Sequence, residues 1–116
     1  MDNSNNVRFG SYTLYNGVTT SLTDNTAAPT TVLTLSRPSF TVEYRIARGT
    51  AFQRGTITVD FNPAGSNLTY TQDYTENAST GVTLSVIQSG TNALIKYTTT
   101  STGQAATFNY SINLFS

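Results

Sequence analysis

The stretch "ALIKYTTTSTGQAATFNYSINLF", residues 93–115, alternates apolar side chains with hydroxyl or amide ones almost without interruption. A period of two sends neighbouring side chains to opposite faces of a strand, whereas a helix needs a period near 3.6 to bury one face. The same rhythm recurs along the chain, so the sequence predicts strands with an apolar inner and a polar outer face. Thr abounds on the polar side, a β-branched residue that suits a pleated surface and forms helices poorly.

Turn chemistry divides the rhythm. Nine segments read as strands: "VRFGSYTLY", "VTTSLT", "TTVLTLS", "FTVEYRIAR", "RGTITVDF", "NLTYTQ", "GVTLSVI", "ALIKYTTT" and "AATFNYSINLF". Between them lie "NG", "DNTAAP", "RPS", "NPAGS", "TENASTG", "QSG" and "STGQ", all rich in turn formers. Eight or nine short strands with no helical segment predict an all-β, antiparallel β-sandwich, jelly-roll-like or immunoglobulin-like. At 116 residues one core suffices. The polar, aperiodic residues 1–6 read as a flexible N-terminal arm and 7–116 as a single sandwich domain.

Pairing apolar with apolar also predicts register, because a slip of one residue turns every side chain to the wrong face. Around "STGQ", Tyr97 is set against Phe108, Ile95 against Tyr110 and Ala93 against Ile112. With Ser89–Gly90 as a two-residue turn, Val86 faces Ala93, Leu84 faces Ile95 and Val82 faces Tyr97, completing a three-strand meander. A second hairpin around "GTAF", residues 49–52, sets Phe40 against Phe61, Val42 against Val59 and Tyr44 against Ile57. Glu43, Arg45, Thr56, Thr58 and Asp60 fall on its outer face.

The chain has no His and no Cys. A Ser-His-Asp triad, a Cys-His pair, disulfides and an ordinary zinc site are therefore unavailable. Six basic and six acidic residues cancel, so no broad positive field draws nucleic acid, and no apolar run approaches the roughly 18 residues of a membrane span. The expectation is a non-enzyme with no catalytic residue, metal or cofactor, no nucleic-acid partner and no membrane insertion. Charged residues make up only 10% of the chain, and a neutral hydroxyl-rich surface protects a free monomer poorly, which favours a subunit of an assembly.

Five residues stand out as candidate subunit contacts. Arg45, Arg48 and Arg54 crowd one hairpin end, and Arg suits bidentate and stacked contacts. Ile87 and Leu94 are apolar residues on the polar side of their meander, near each other if Ser85 opposes Leu94. For a ligand, Tyr70 and Tyr74 can stack on sugar rings, while Asp73 and Asn77 belong to the acid-rich loop "DYTENAS", residues 73–79, which also carries Glu76. That loop lacks the spacing of an EF-hand.

From about residue 18 onward, the order "VTTSLTDNTAAPTTVLTLS", "FTVEYRIARGTAFQRGTITVDF" and "QDYTENASTGVTLSVIQSGTNALIKYTTTSTGQAATFNYSINL" resembles a domain of tailed-phage virion proteins, especially tail fibres and other appendages. In that family a strand ending in Tyr and Arg turns into an aliphatic strand, followed by an acidic loop, a "GVT" strand and a last hairpin. The resemblance implies a non-enzymatic virion structural protein, a fibre or appendage head or a capsid or tail decoration subunit. It would be assembled in the host cytoplasm, homo-oligomeric with a trimer favoured, and in contact with neighbouring virion proteins and host-surface glycan. A carbohydrate-binding module, free or within the same virion setting and using loop Tyr and Asn residues, is the alternative.

Overall fold

The computed structural model describes the backbone of residues 11–115 and the side chains of 17–114; the expected arm at 1–6 lies outside them. Eight strands run β1 (Ser11–Leu22), β2 (Thr30–Leu35), β3 (Ser39–Arg48), β4 (Ala51–Asp60), β5 (Thr69–Glu76), β6 (Val82–Ser89), β7 (Asn92–Thr99) and β8 (Ala106–Phe115). No helix occurs among the described residues. The strands form two antiparallel sheets, ordered β1-β8-β3-β4-β5 and β2-β7-β6.

The first strand lies beside the last and the second beside the next to last, as in a jelly roll, but β3 pairs with β4 and β6 with β7 instead of β3 with β6. The immunoglobulin order is not followed. The predicted inner faces are buried: Phe40, Val42, Tyr44, Ile57, Val59 and Phe61 from the second hairpin, with Val82, Leu84, Val86, Ala93, Ile95, Tyr97, Phe108, Tyr110 and Ile112. Phe108 anchors the larger sheet, its ring centroid 5.7 Å from Tyr44 and 5.3 Å from Tyr110.

Both hairpins sit two residues away from the predicted register. Val42 pairs with Ile57 and Tyr44 with Gly55 around Gly49–Thr50; Leu84 pairs with Tyr97 and Val86 with Ile95 around Gly90–Thr91. A slip of two preserves which face every side chain occupies, so the apolar pattern cannot detect it. Turn geometry decides instead: Gly49 at φ 63° and Gly90 at φ 61° take the first central position, where a type II′ turn needs a positive φ.

The β7–β8 hairpin is a larger correction. The two strands lie in different sheets, and residues 100–105 carry the chain across the sandwich. Apolar faces match equally well side by side or facing each other through the core, so alternation alone does not separate these cases. Two smaller differences follow. The strands expected at 7–15 and 18–23 are one strand over the described residues, bulged between Thr13 and Val18, and "DYTE" extends β5 instead of forming a loop.

Candidate functional site

Five strands cannot be covered by three, and the consequences collect at the sandwich ends and at β5. Arg48 has the same parity as Phe40, Val42, Tyr44 and Ile46, and its strand carries it to the inner face at the end of the core. Its side chain is 3% exposed. Nε donates to Gln104 O at 3.0 Å, Nη1 to Thr80 O at 3.0 Å, and Nη2 to Thr100 O at 2.6 Å and Asp24 Oδ1 at 2.5 Å.

One guanidinium thereby ties the β1–β2 loop, the β5–β6 loop and both ends of the β7–β8 crossover to β3. Arg48 is a clasp for these loops, and the expectation that it contacts another subunit is withdrawn. Parity was the available signal, since Arg45 sits on the opposite side of the same strand. Asp24 and Gln104, which complete the clasp, have no distinguishing pattern in sequence.

Asp24 accepts the backbone N–H of Thr102 at 3.0 Å and that of Gly103 at 3.1 Å. The Thr102 bond foremost, then Gly103 and the Arg48 guanidinium, hold its carboxyl below its ordinary value of 3.8, against an opposing contribution from partial burial. A folded-state value below the unfolded one stabilises the fold at pH above 3.8, and that contribution is lost as pH falls through the lower folded value. Urea titrations are expected to show wild type losing stability below pH 3.8 more steeply than Asp24→Asn. Equal acid slopes would show the carboxylate to be inert.

The larger sheet ends in β5, whose residues are exposed apart from the half-buried Gln72. Its inner-facing row is Tyr70, Gln72, Tyr74 and Glu76, of which Gln72 and Tyr74 border a small slot against β6 of the smaller sheet. Gln72 Nε2 donates to the Tyr44 hydroxyl at 2.6 Å, which donates to Gln53 Oε1 at 2.8 Å; Gln53 Nε2 donates to Glu76 Oε1 at 3.0 Å. Burial pushes the Tyr44 phenol above its ordinary value despite the Gln72 bond, so it remains a donor at neutral pH. This relay fixes the middle and the end of β5. Tyr70 and Tyr74 remain outside it, 39% and 52% exposed.

The four ligand candidates do not converge. Tyr70 and Tyr74 share the inner-facing row, with Tyr74 beside a slot of about 90 Å³ bounded by Gln53, Gln72, Val82 and Leu84. Asp73 points to the other face, opposite Thr56. Asn77 is engaged with the β3–β4 turn: its Oδ1 accepts Phe52 N–H at 2.8 Å and its Nδ2 donates to Thr50 O at 3.1 Å. It closes this turn from an exposed position.

The remaining contact candidates are on outer surfaces. Arg45 and Arg54 are exposed cross-strand partners, a like-charge pair, with the Arg45 guanidinium 4.6 Å from the Phe52 ring centroid. Ile87 and Leu94 are direct cross-strand neighbours on the smaller sheet, closer than the predicted diagonal, with Ser85 opposing Lys96 instead. Ile87 is exposed and Leu94 half-buried.

Among the described residues no three acids gather into a group that would hold a metal ion. The site with unspent binding capacity is the β5 edge: a ladder of outward backbone donors and acceptors with two aromatic side chains on one face. Compared with known proteins, the chain matches no family model, no curated protein and no solved structure.

Proposed function

We propose that this chain is a non-enzymatic structural subunit of a phage particle, a fibre or appendage head or a capsid or tail decoration protein, acting through protein–protein assembly. The observation that carries the reading is the bare β5 edge with Tyr70 and Tyr74 beside it. An unpaired edge strand is a template for another chain, and proteins that remain single blunt their edges with lysine, proline, bulges or covering loops. The Arg48 clasp supports the same reading, because loops tied to one buried side chain present a constant shape.

Zero net charge on a hydroxyl-rich chain suits a surface that ends up against equivalent surfaces. The resemblance of residues 18 onward to virion appendage domains supplies the setting. Quantitative mass spectrometry of intact virions from the encoding phage is expected to find the chain at a structural component's copy number. Its absence from intact particles would overturn the proposal.

A second reading rests on a specific feature, the exposure of Tyr70 and Tyr74 on the same side of β5 as Gln72 and Glu76. Rings that can stack on a sugar beside groups that can bond its hydroxyls suit a host-surface glycan. Titration against a glycan array should then give binding that Tyr70→Ala and Tyr74→Ala each weaken about tenfold, as loss of a ring contact of roughly 1.4 kcal/mol requires. Binding unchanged in both variants would remove β5 from glycan recognition.

A further inference from the structure

We propose that β5 pairs with β5 of a second copy of this chain, antiparallel about a two-fold axis at Gln72, joining the two five-stranded sheets into one of ten strands. This deepens the assembly reading and rests on it. The two sheets expose four edges, and they are treated differently. β1 is bulged between Thr13 and Val18, and β2 between Thr31 and Leu33.

One end of β6 is covered by the loop preceding β5, where Gln88 Nε2 donates to Asn62 O and Gly65 O and Gln88 Oε1 accepts Asn67 N–H. β5 has neither device at any point along its length. It pairs with β4 in unbroken register from Thr69 to Glu76, and contains no lysine, arginine or proline. Two of the four exposed large hydrophobic residues among the described side chains, Tyr70 and Tyr74, belong to it.

A two-fold axis perpendicular to the sheet keeps inner side chains opposite inner ones, so the axis must pass through a residue position. Centred on Asp73, the pairing sets that carboxylate against its own copy, a like-charge contact that destabilises a sheet. Centred on Thr71, it shortens the overlap to Thr69–Asp73. Centred on Gln72, it spans Thr69–Thr75 and sets Tyr70 against Tyr74 of the second copy, Thr71 against its Asp73, and Thr69 against its Thr75.

Both aromatic side chains gain an aromatic partner and Asp73 a hydroxyl one. A second copy is the occupant because this strand is complementary to itself in that register. Its central residue is held in place beforehand by the bond from Gln72 to the Tyr44 hydroxyl.

Thr71 tests the register, being exposed on the outer face and opposite Thr58 within its own sheet. Thr71→Asp places two like-charge pairs across the axis, and Thr71→Lys places two opposite-charge pairs there. Sedimentation velocity across a concentration series is expected to give a reversible dimer for wild type, about tenfold weaker dimerisation for Thr71→Asp, and dimerisation retained or tightened for Thr71→Lys. Far-ultraviolet dichroism and melting checked on each variant separate these effects from unfolding.

Lysine on an edge hinders unspecific strand pairing, so retention in Thr71→Lys reports the specific register. An oligomer insensitive to both substitutions would overturn pairing through β5 and leave the assembly reading standing. A monomer at every concentration would overturn this inference. Absence from virions, tested separately, would overturn the broader reading.

Discussion

Arg48→Ala is expected to destabilise the fold by about 3 kcal/mol, because it removes a buried charged donor from carbonyls that have been taken out of water. The substitution removes the guanidinium donor from the carbonyls of Thr80, Thr100 and Gln104 and leaves Asp24 without its cation. An exposed pair would contribute less than about 1 kcal/mol. The Arg48 side chain is 3% exposed and that of Asp24 27%, so the loss comes from the buried guanidinium and the carbonyls it serves more than from the ion pair. Arg48→Lys should recover little, since one ammonium cannot reproduce a planar fork spread over four acceptors. Urea unfolding with an unchanged slope measures the effect, and a loss below about 1 kcal/mol would show the clasp to be ornamental.

Gly55→Ala has the next largest expected effect, and its sign depends on local contacts. In an open strand, replacing Gly with Ala gains about 0.5–1 kcal/mol from reduced backbone entropy in the unfolded chain. Here a Cβ at position 55 would lie 2.4 Å from Asp73 O, 2.7 Å from Tyr74 Cβ and 2.9 Å from the Tyr44 hydroxyl. The nearest obstacle is backbone, so β5 itself must move away from β4.

Overpacking of this kind costs about 1–3 kcal/mol, which exceeds the entropic gain, and a net loss of about 2 kcal/mol is expected. Hydrogen exchange should locate the damage. Amides of Thr69–Glu76 are expected to exchange faster by more than the global loss of stability explains, while those of β8 track global stability alone. A stabilised variant would mean that the strand gives way without strain. Since β5 is also the proposed pairing edge, the same substitution should weaken dimerisation.

Much of the fold can be read from individual residues. The even-numbered positions of β3 and the odd-numbered ones of β4 were assignable to the core, and Phe40, Val42, Ile57 and Val59 are buried there. Arg45 and Arg54 were assignable to the outside, and both are exposed. Arg48 was misread because its charge outweighed its parity. A buried Arg is rare unless its hydrogen bonds are satisfied, and the acceptors that satisfy it come from positions 24, 80, 100 and 104, far apart in sequence.

Tyr70 and Tyr74 were picked out for their rings, and they are exposed. What leaves them so is β5's place at the margin of the larger sheet. Asn77 looked free in sequence because its partners, the backbone groups of Thr50 and Phe52, approach it only after β4 and β5 have paired.

The sequence by itself determined that the chain is strands and, for β3, β4, β6, β7 and β8, which side faces inward. Those properties are local, set by the two-residue alternation of side chains. The tertiary structure alone decided that β7 and β8 belong to different sheets, that Arg48 closes one end of the sandwich, and that β5 is left at an edge. Such outcomes depend on which apolar face meets which across the core, and on carbonyls brought together from distant loops; no short-range pattern encodes either.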